Sequence, residues 1–176
     1  MIDMIIGPMG SGKSKAILDF RRETLEKFPH LSVICIKPKI DTRNMGICSR
    51  DGQHADAFEV ESFKDILDIV KDNDNSIFII DEVQFLNEYG FSNFVKYVQV
   101  NDIPVIASGL NQTSDMTPFE VTAKLCMFAD SVTVLSGKCV YCGSDGKCSK
   151  CTVEKSSDIL VGDDVYQQTC YKCFYK

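Results

Sequence analysis

A glycine-rich segment near the N-terminus combines the residue types of a phosphate-binding loop. Gly7, Gly12, Lys13 and Ser14 fit the pattern G-x-x-x-x-G-K-[ST], between an apolar run and a helical pattern. Gly7, Gly10 and Gly12 let the backbone curl so that successive N–H groups converge on phosphate oxygens. Lys13 is expected to bridge the outer phosphates, and Ser14 to place its hydroxyl on Mg²⁺. The segment predicts an ATP site formed by Gly7, Pro8, Met9, Gly10, Ser11, Gly12, Lys13 and Ser14.

Two adjacent acidic residues follow a buried-strand pattern and extend this chemistry. In "SIFIIDE" an apolar run ends at Asp81, where an enzyme with such a loop needs its second contact to Mg²⁺. Glu82 follows directly, and a carboxylate there can activate the group that attacks the γ-phosphate. That group is either water or a substrate hydroxyl, and the pair of residues does not distinguish them.

Six of the nine cysteines form three C-x-x-C pairs at the C-terminal end: Cys139/Cys142, Cys148/Cys151 and Cys170/Cys173. Clustered pairs of this kind predict zinc, which takes four thiolates in a tetrahedron. Residues 152–169 separate the second pair from the third, which is a common zinc spacing. The first pair lies further from the third, but Gly143 follows it and permits a turn that aims N–H groups at the thiolates. Spacing alone leaves both pairings open.

The pattern of apolar residues predicts an α/β fold. Residues 1–136 alternate between short apolar runs and amphipathic stretches, which favours a parallel sheet with helices on its faces. The polar stretch 41–57 is expected to be a flexible loop or a short hairpin. Aliphatic residues are few beyond Ser136, so we expect residues 137–176 to form a small domain held together by a metal. The predicted strands are "MIDMII", "LSVICIKP", "SIFIIDE", "IPVIASG" and "DSVTVLSG", and the predicted helices are "SGKSKAILDFRRETLEKF" from Ser11, "ESFKDILDIVKDN" and "FSNFVKYVQV".

The composition excludes several classes of protein. The chain of 176 residues has a net charge of −6, which disfavours broad binding of nucleic acid. Residues 137–176, the candidate zinc element, carry six lysines against five acids and are no basic surface. No run of 18 apolar residues occurs, which predicts no membrane span, and the N-terminus lacks the basic leader of a signal peptide. A cytosolic protein is expected.

Taken together, these pieces resemble the cytosolic (type II) thymidine kinases over nearly the whole chain. The family loop G-P-M-x-S-G-K-S matches Gly7–Ser14, and the family segment I-D-E-x-Q-F matches Ile80–Phe85. The family pattern K-x-x-x-D-x-R matches Lys37–Arg43, and a glycine-leucine segment that ends in proline-phenylalanine matches Gly109–Phe119. A C-x-x-C pair, a loop with a tyrosine and a closing C-x-x-C pair then follow in the family order. The order and spacing of these motifs are more specific than any single one.

The resemblance implies transfer of the γ-phosphate of ATP to the 5′-hydroxyl of thymidine or deoxyuridine, a step of nucleotide salvage and DNA synthesis. By this analogy Glu82 is the general base on that hydroxyl. Lys13, Ser14 and Asp81 arrange the phosphates and Mg²⁺, and Arg43 acts near the transferred group.

The resemblance also implies the surroundings of the nucleoside. It implies a P-loop (RecA-like) sheet with helices on both faces and a C-terminal zinc domain whose lasso loop, "DILVGDDVY", closes over the base. It further implies a homotetramer. The family usually has a large residue where this chain has Gly10, which indicates a different nucleoside pocket. The implied substrate contacts are Leu110, Phe119, Val161, Gly162 and Tyr166, and the implied zinc ligands are Cys139, Cys142, Cys170 and Cys173.

Two other functions fit part of the sequence. One is a P-loop ATPase that acts on nucleic acid and grips it with a zinc element, which would be expected to show a basic groove or an arginine finger. The other is a nucleotide-binding regulator without catalysis, which the acid at Glu82 disfavours. The kinase is the leading hypothesis.

Overall fold

A computed structural model describes residues 1–42, 45–153 and 165–176. The strands are β1 (Ile2–Gly7), β2 (Ser32–Pro38), β3 (Ile47–Cys48), β4 (His54–Ala55), β5 (Phe58–Val60), β6 (Ser76–Ile80), β7 (Val105–Leu110), β8 (Ser131–Val134), β9 (Gly137–Lys138), β10 (Asp145–Gly146), β11 (Cys148–Cys151) and β12 (Tyr166–Thr169). The helices are α1 (Lys13–Lys27), α2 (Phe63–Asp72), α3 (Phe91–Val100), α4 (Glu120–Phe128) and α5 (Tyr171–Phe174), with a 3₁₀ turn at Val83–Phe85.

Six strands form one sheet in the order β5-β2-β6-β7-β1-β8, and each neighbouring pair is parallel. The predicted α/β fold with a parallel sheet is therefore confirmed. Only β7 separates β1 from β6, so the segments that follow β1 and β6 meet at the carboxyl edge of the sheet. Ligands of open parallel sheets bind at this edge.

Alternate residues of the central strands are buried on opposite faces of the sheet. In β6, Phe78 and Ile80 belong to the core on one face, and Ile79 belongs to the core on the other. Helix α1 covers the face of Ile79 through Ile17 and Leu18, and α2, α3 and α4 cover the opposite face. Helices thus flank both faces, as the sequence predicted. None of the described helices is both long enough and apolar enough to cross a lipid bilayer.

The structure shifts helix boundaries and adds elements that the sequence did not predict. The first helix begins at Lys13 rather than Ser11, because Gly12 has a φ of 92° and lies in the left-handed region, outside the helix. In the sheet domain, helix α4 and strand β5 were not predicted, and neither were β9 to β12 and α5 in the C-terminal region. No side-chain cap marks the start of α4 at Phe119, and β5 has only three residues.

Two small antiparallel strand pairs and the short helix α5 are the described secondary structure of residues 137–176. β9 pairs with β10, and β11 pairs with β12. Among the described residues of this region, the buried side chains are those of Cys139, Cys148, Ser149 and Thr169, and none of these is aliphatic. This agrees with the expectation that hydrophobic burial does not hold it together. In the polar stretch 41–57, β3 and β4 form the hairpin that was one of the two expectations.

Candidate functional site

The predicted phosphate-binding loop lies between β1 and α1 at the carboxyl edge of the sheet. Gly10 and Gly12 have φ values of 75° and 92°, which only glycine adopts without strain. The side chain of Lys13 is buried and folds back over the loop, where its ammonium donates to the carbonyl oxygens of Gly7 at 3.2 Å and Pro8 at 3.0 Å. The loop therefore has the left-handed turns and the inward lysine of a phosphate cradle.

Asp81 lies at the end of β6, next to this loop. Its carboxylate accepts hydrogen bonds from the hydroxyls of Ser14 and Ser108 and, at 2.9 Å, from the N–H of Glu82. Burial removes water from the carboxylate, and with the negative charge of Glu82 it raises the pKa of Asp81 to about 6. Ser108, Ser14 and Lys13 lower it in part. Oxygen atoms of Ser14 and Asp81 at one point suit a hard cation such as Mg²⁺.

The raised pKa of Asp81 gives a stability prediction for Asp81→Asn. Between about pH 4 and 6, the folded protein holds more protons at Asp81 than the unfolded chain does, so the free energy of unfolding falls as pH rises. Asparagine is neutral throughout and can still accept from Ser108. We expect Asp81→Asn to raise the free energy of unfolding at pH 7, without nucleotide, by about 1–3 kcal/mol.

Urea unfolding followed by circular dichroism, at several pH values from 4.5 to 7.5, measures this difference. The stability gained by Asp81→Asn should shrink toward pH 4.5, where Asp81 of the wild type is itself protonated. The same substitution at the exposed Asp74 is the control variant. A loss of stability at pH 7 in Asp81→Asn would contradict the account.

Glu82 is held in a strained position by a residue that the sequence analysis did not single out. Its φ is 53°, a left-handed value that is uncommon for a residue with a side chain and is often found at functional sites. The side-chain amide nitrogen of Gln84 donates to the carboxylate of Glu82. The side-chain oxygen Oε1 of Gln84 accepts from the N–H of Leu110 at 3.0 Å. Gln84 thus fixes Glu82 relative to the end of β7. In the sequence, the only indication of this role of Gln84 was its place in the I-D-E-x-Q-F segment.

A cavity of about 470 Å³ opens beside the loop. Its described lining includes Met9, Gly10, Arg50 and Tyr166, but neither Leu110 nor Phe119, which lie at the end of β7 and the start of α4. The guanidinium Nη1 of Arg50 lies 2.8 Å from the point where a Cβ on Gly10 would stand. Arg50 therefore occupies the space beside Gly10. Sequence reasoning missed Arg50, because the hairpin that presents it is distant in the chain.

The first and third cysteine pairs come together. One ligand atom from each of the four cysteines lies within 4.8 Å of the others, and these residues are Cys139, Cys142, Cys170 and Cys173. Gly143 has a φ of 72°, the left-handed turn expected after the first pair. Four sulfur donors at this spacing suit a tetrahedral zinc ion, so the cluster could bind zinc.

The pKa values of the thiols fit the same interpretation. Hydrogen bonds from the Ser144 hydroxyl and the Cys173 N–H lower the pKa of Cys170 to about 6. Burial, together with contacts to the neighbouring thiols, raises the pKa of Cys173 to about 12. The thiolate of Cys170 therefore forms readily, whereas the thiolate of Cys173 is disfavoured. A bound cation would stabilise both thiolates.

Cys148 and Cys151 stand apart from this cluster. Both belong to β11, where positions three apart face opposite sides of the ribbon, so the two thiols do not converge on one ion. Cys148 is fully buried, and the Cys151 thiol donates to the carbonyl of Val153 at 3.3 Å. The pairing of Cys148/Cys151 with the last pair, which spacing had left open, is therefore not the one that the structure forms.

Three candidate residues, Arg43, Val161 and Gly162, lie outside the described residues, as does most of the implied lasso segment.

The fold and this arrangement define the class: an α/β protein with a six-stranded parallel sheet flanked by helices and a C-terminal four-cysteine cluster that could bind zinc. A family model described as thymidine kinase matches residues 1–174. The chain therefore belongs to the thymidine kinase family, as its motifs indicated.

Individual relatives agree with the family model. The chain is 33% identical to the thymidine kinase of Raccoon poxvirus over 175 residues, which cover 98% of this chain and 96% of the relative. It is 33% identical to that of Ureaplasma parvum over 180 residues, covering 99% and 78%. It is 31% identical to that of Bacteroides thetaiotaomicron over 178 residues, covering 99% and 87%.

Proposed function

We propose that the protein transfers the γ-phosphate of ATP to the 5′-hydroxyl of thymidine or deoxyuridine. The observation that carries the proposal is the position of Glu82. Its carboxylate is buried, oriented by Gln84, and adjacent to Asp81 beside the phosphate-binding loop. Family membership supports a kinase that acts on thymidine.

In this proposal, Gly7–Ser14 holds the phosphates of ATP through backbone N–H groups and the start of α1. Lys13 exchanges its contacts with the Gly7 and Pro8 carbonyls for the outer phosphates. Ser14 and Asp81 hold Mg²⁺, which neutralises charge on the phosphates when it is bound.

Glu82 acts as the general base. It accepts the proton of the 5′-hydroxyl as that oxygen forms its bond to the γ-phosphorus, and the bond from phosphorus to the β–γ bridging oxygen breaks to release ADP. The hydrogen bond from Gln84 keeps the carboxylate aimed at the acceptor. Arg43, by the resemblance, stabilises the charge on the transferred group.

The nucleoside is proposed to lie over the cavity next to Met9 and Gly10, with Tyr166 near the sugar. Leu110, Phe119, Val161 and Gly162 complete its surroundings by the resemblance. We propose that residues 1–136 form the ATP-binding kinase domain, and that zinc on the four-cysteine cluster fixes the ends of the lasso in residues 137–176.

We further propose a homotetramer in the cytoplasm that binds no nucleic acid. The resemblance supports the tetramer, and exposed apolar side chains such as Met127, Val132 and Val134, on or near the edge strand β8, are consistent with subunit contacts. None of the nine cysteines forms a disulfide, which suits a reducing compartment. The net charge of −6 supports the lack of nucleic-acid binding.

A panel of acceptors tests the proposed substrate. Purified protein is incubated with γ-labelled MgATP and, separately, thymidine, deoxyuridine, deoxycytidine and the thymidine analogue without a 5′-hydroxyl. We expect label on thymidine and deoxyuridine and none on the analogue. Label on the analogue would place the transfer at another hydroxyl, and label on deoxycytidine alone would contradict the proposed base.

A further inference from the structure

The C-terminal ribbon holds one residue of the phosphate-binding loop from both sides. The N–H of Met9 donates to the hydroxyl of Ser149 at 2.9 Å, and the carbonyl of Met9 accepts from the amide of Gln168 at 3.1 Å. Ser149 on β11 and Gln168 on β12 are direct partners across the antiparallel ribbon, so their side chains lie on the same face. The two form a clamp on the backbone of Met9, which we call the Met9 clamp.

The side chain of Gln168 reaches Met9 through a slot that two glycines leave open. A Cβ on Gly137 would overlap the side-chain oxygen Oε1 of Gln168, and a Cβ on Gly146 would lie 2.7 Å from the Cγ of Gln168. Real Cβ atoms do not approach other atoms so closely, so any larger residue at Gly137 has to displace this side chain. The glycines on β9 and β10 therefore accommodate the conformation of Gln168.

The same ribbon is connected to the four-cysteine cluster. The carbonyl of Gln168 accepts from the N–H of Val140, inside the first C-x-x-C pair, at 3.0 Å. Cys170 lies two residues beyond Gln168 in the chain. The clamp is thus built on the part of the chain that zinc is proposed to order.

We propose that Ser149 and Gln168 are positioning residues for ATP, which hold the phosphate-binding loop through Met9 in its binding conformation. This inference rests on the proposed function, since it takes Gly7–Ser14 as the ATP site. A loop released from the clamp spends less time in the conformation that binds ATP. The apparent affinity for ATP falls in proportion to the fraction of molecules that keep this conformation. Turnover of the molecules that have bound ATP is then little changed.

The test combines direct binding, kinetics and hydrogen exchange. We expect Ser149→Ala and Gln168→Ala each to weaken MgATP binding, measured by calorimetry without thymidine, by about 5–10-fold, the effect of one lost hydrogen bond. The KM for MgATP should rise in parallel, while kcat of Ser149→Ala, which does not line the proposed nucleoside cavity, stays within about twofold. Amide exchange of a peptide covering Gly7–Ser14 should accelerate in both variants. Ser149→Thr, which keeps the hydroxyl, should restore affinity and exchange.

Gly137→Ala tests the slot without touching Met9. It should displace Gln168 and weaken MgATP binding about as much as Gln168→Ala does, and the double variant should be no weaker than Gln168→Ala alone. Gln99→Ala is the matched control. The side-chain amide of Gln99 also makes one hydrogen bond, to the Phe128 carbonyl, but it lies on the face of the sheet opposite to α1. Zinc content, measured by a colorimetric chelator after denaturation, should stay unchanged in every variant.

Unchanged binding and exchange in both Ser149→Ala and Gln168→Ala, with zinc retained, would overturn the clamp and leave the proposed function intact. Additive losses of MgATP affinity in the double variant Gly137→Ala, Gln168→Ala would also overturn the proposed role of the glycine slot. A wild type that transfers no phosphate to thymidine, while the clamp variants still bind MgATP less tightly, would instead refute the proposed function and support the clamp.

Discussion

Glu82→Gln is expected to lower kcat for thymidine phosphorylation by about 10²-fold or more, while MgATP binds nearly as tightly as to the wild type. Glutamine has nearly the same shape but cannot take a proton from the 5′-hydroxyl. The binding residues of Gly7–Ser14 are untouched. The combination of a large loss in kcat with an intact ATP affinity is the signature of a removed base.

Two measurements are needed, namely steady-state kinetics with thymidine and calorimetry with MgATP. Glu88→Gln serves as the control, since Glu88 is a half-buried acid that pairs with Lys124 at 2.7 Å, away from the phosphate-binding loop. Turnover by Glu82→Gln at the wild-type rate would remove Glu82 as the base. A loss of ATP affinity equal to the loss of turnover would assign it a role in binding instead.

Cys139→Ser is expected to abolish zinc retention, whereas Cys148→Ser should retain zinc. Cys139 supplies one of four converging sulfurs, and a tetrahedral site that loses a thiolate binds zinc far less tightly. The described residues of 137–176 bury no aliphatic side chain that could replace zinc, so the Met9 clamp and the loop proposed to close over the nucleoside should be lost together. Activity should therefore fall by about tenfold or more.

Metal content is measured by atomic emission on purified protein, and the order of residues 137–176 by limited proteolysis. The expected content is about one zinc per chain in the wild type and Cys148→Ser. Rapid cleavage within 137–176 should accompany the loss of zinc from Cys139→Ser. Zinc that persists in Cys139→Ser and is lost from Cys148→Ser would reverse the assignment of ligands.

Elements with a clear periodicity were predictable from the sequence. The prediction for α3, residues 91–100, has the bounds that the structure shows, and β6 was evident because four of its five residues are apolar. Helix α4 was missed because it is short and begins without a capping side chain. The loop and the Asp81–Glu82 pair were found because their chemistry is local in the chain.

The rest of the site depends on contacts between distant segments. The hydrogen bonds of Met9 to Ser149 and Gln168 span 140 and 159 residues, and no local pattern encodes them. The space beside Gly10 is taken by Arg50 from a hairpin, so the small residue at position 10 could be noticed in the sequence but not explained. The residue types that fit at such positions depend on tertiary packing.

The ratio of ADP to thymidine 5′-monophosphate tests the central claim most directly. Both products are quantified by chromatography from MgATP with and without thymidine, and with single-stranded DNA in place of thymidine. We expect one ADP for each thymidine 5′-monophosphate, and almost no ADP when thymidine is absent. ADP that forms as fast without thymidine, or faster with DNA, would show hydrolysis rather than transfer and would contradict the account.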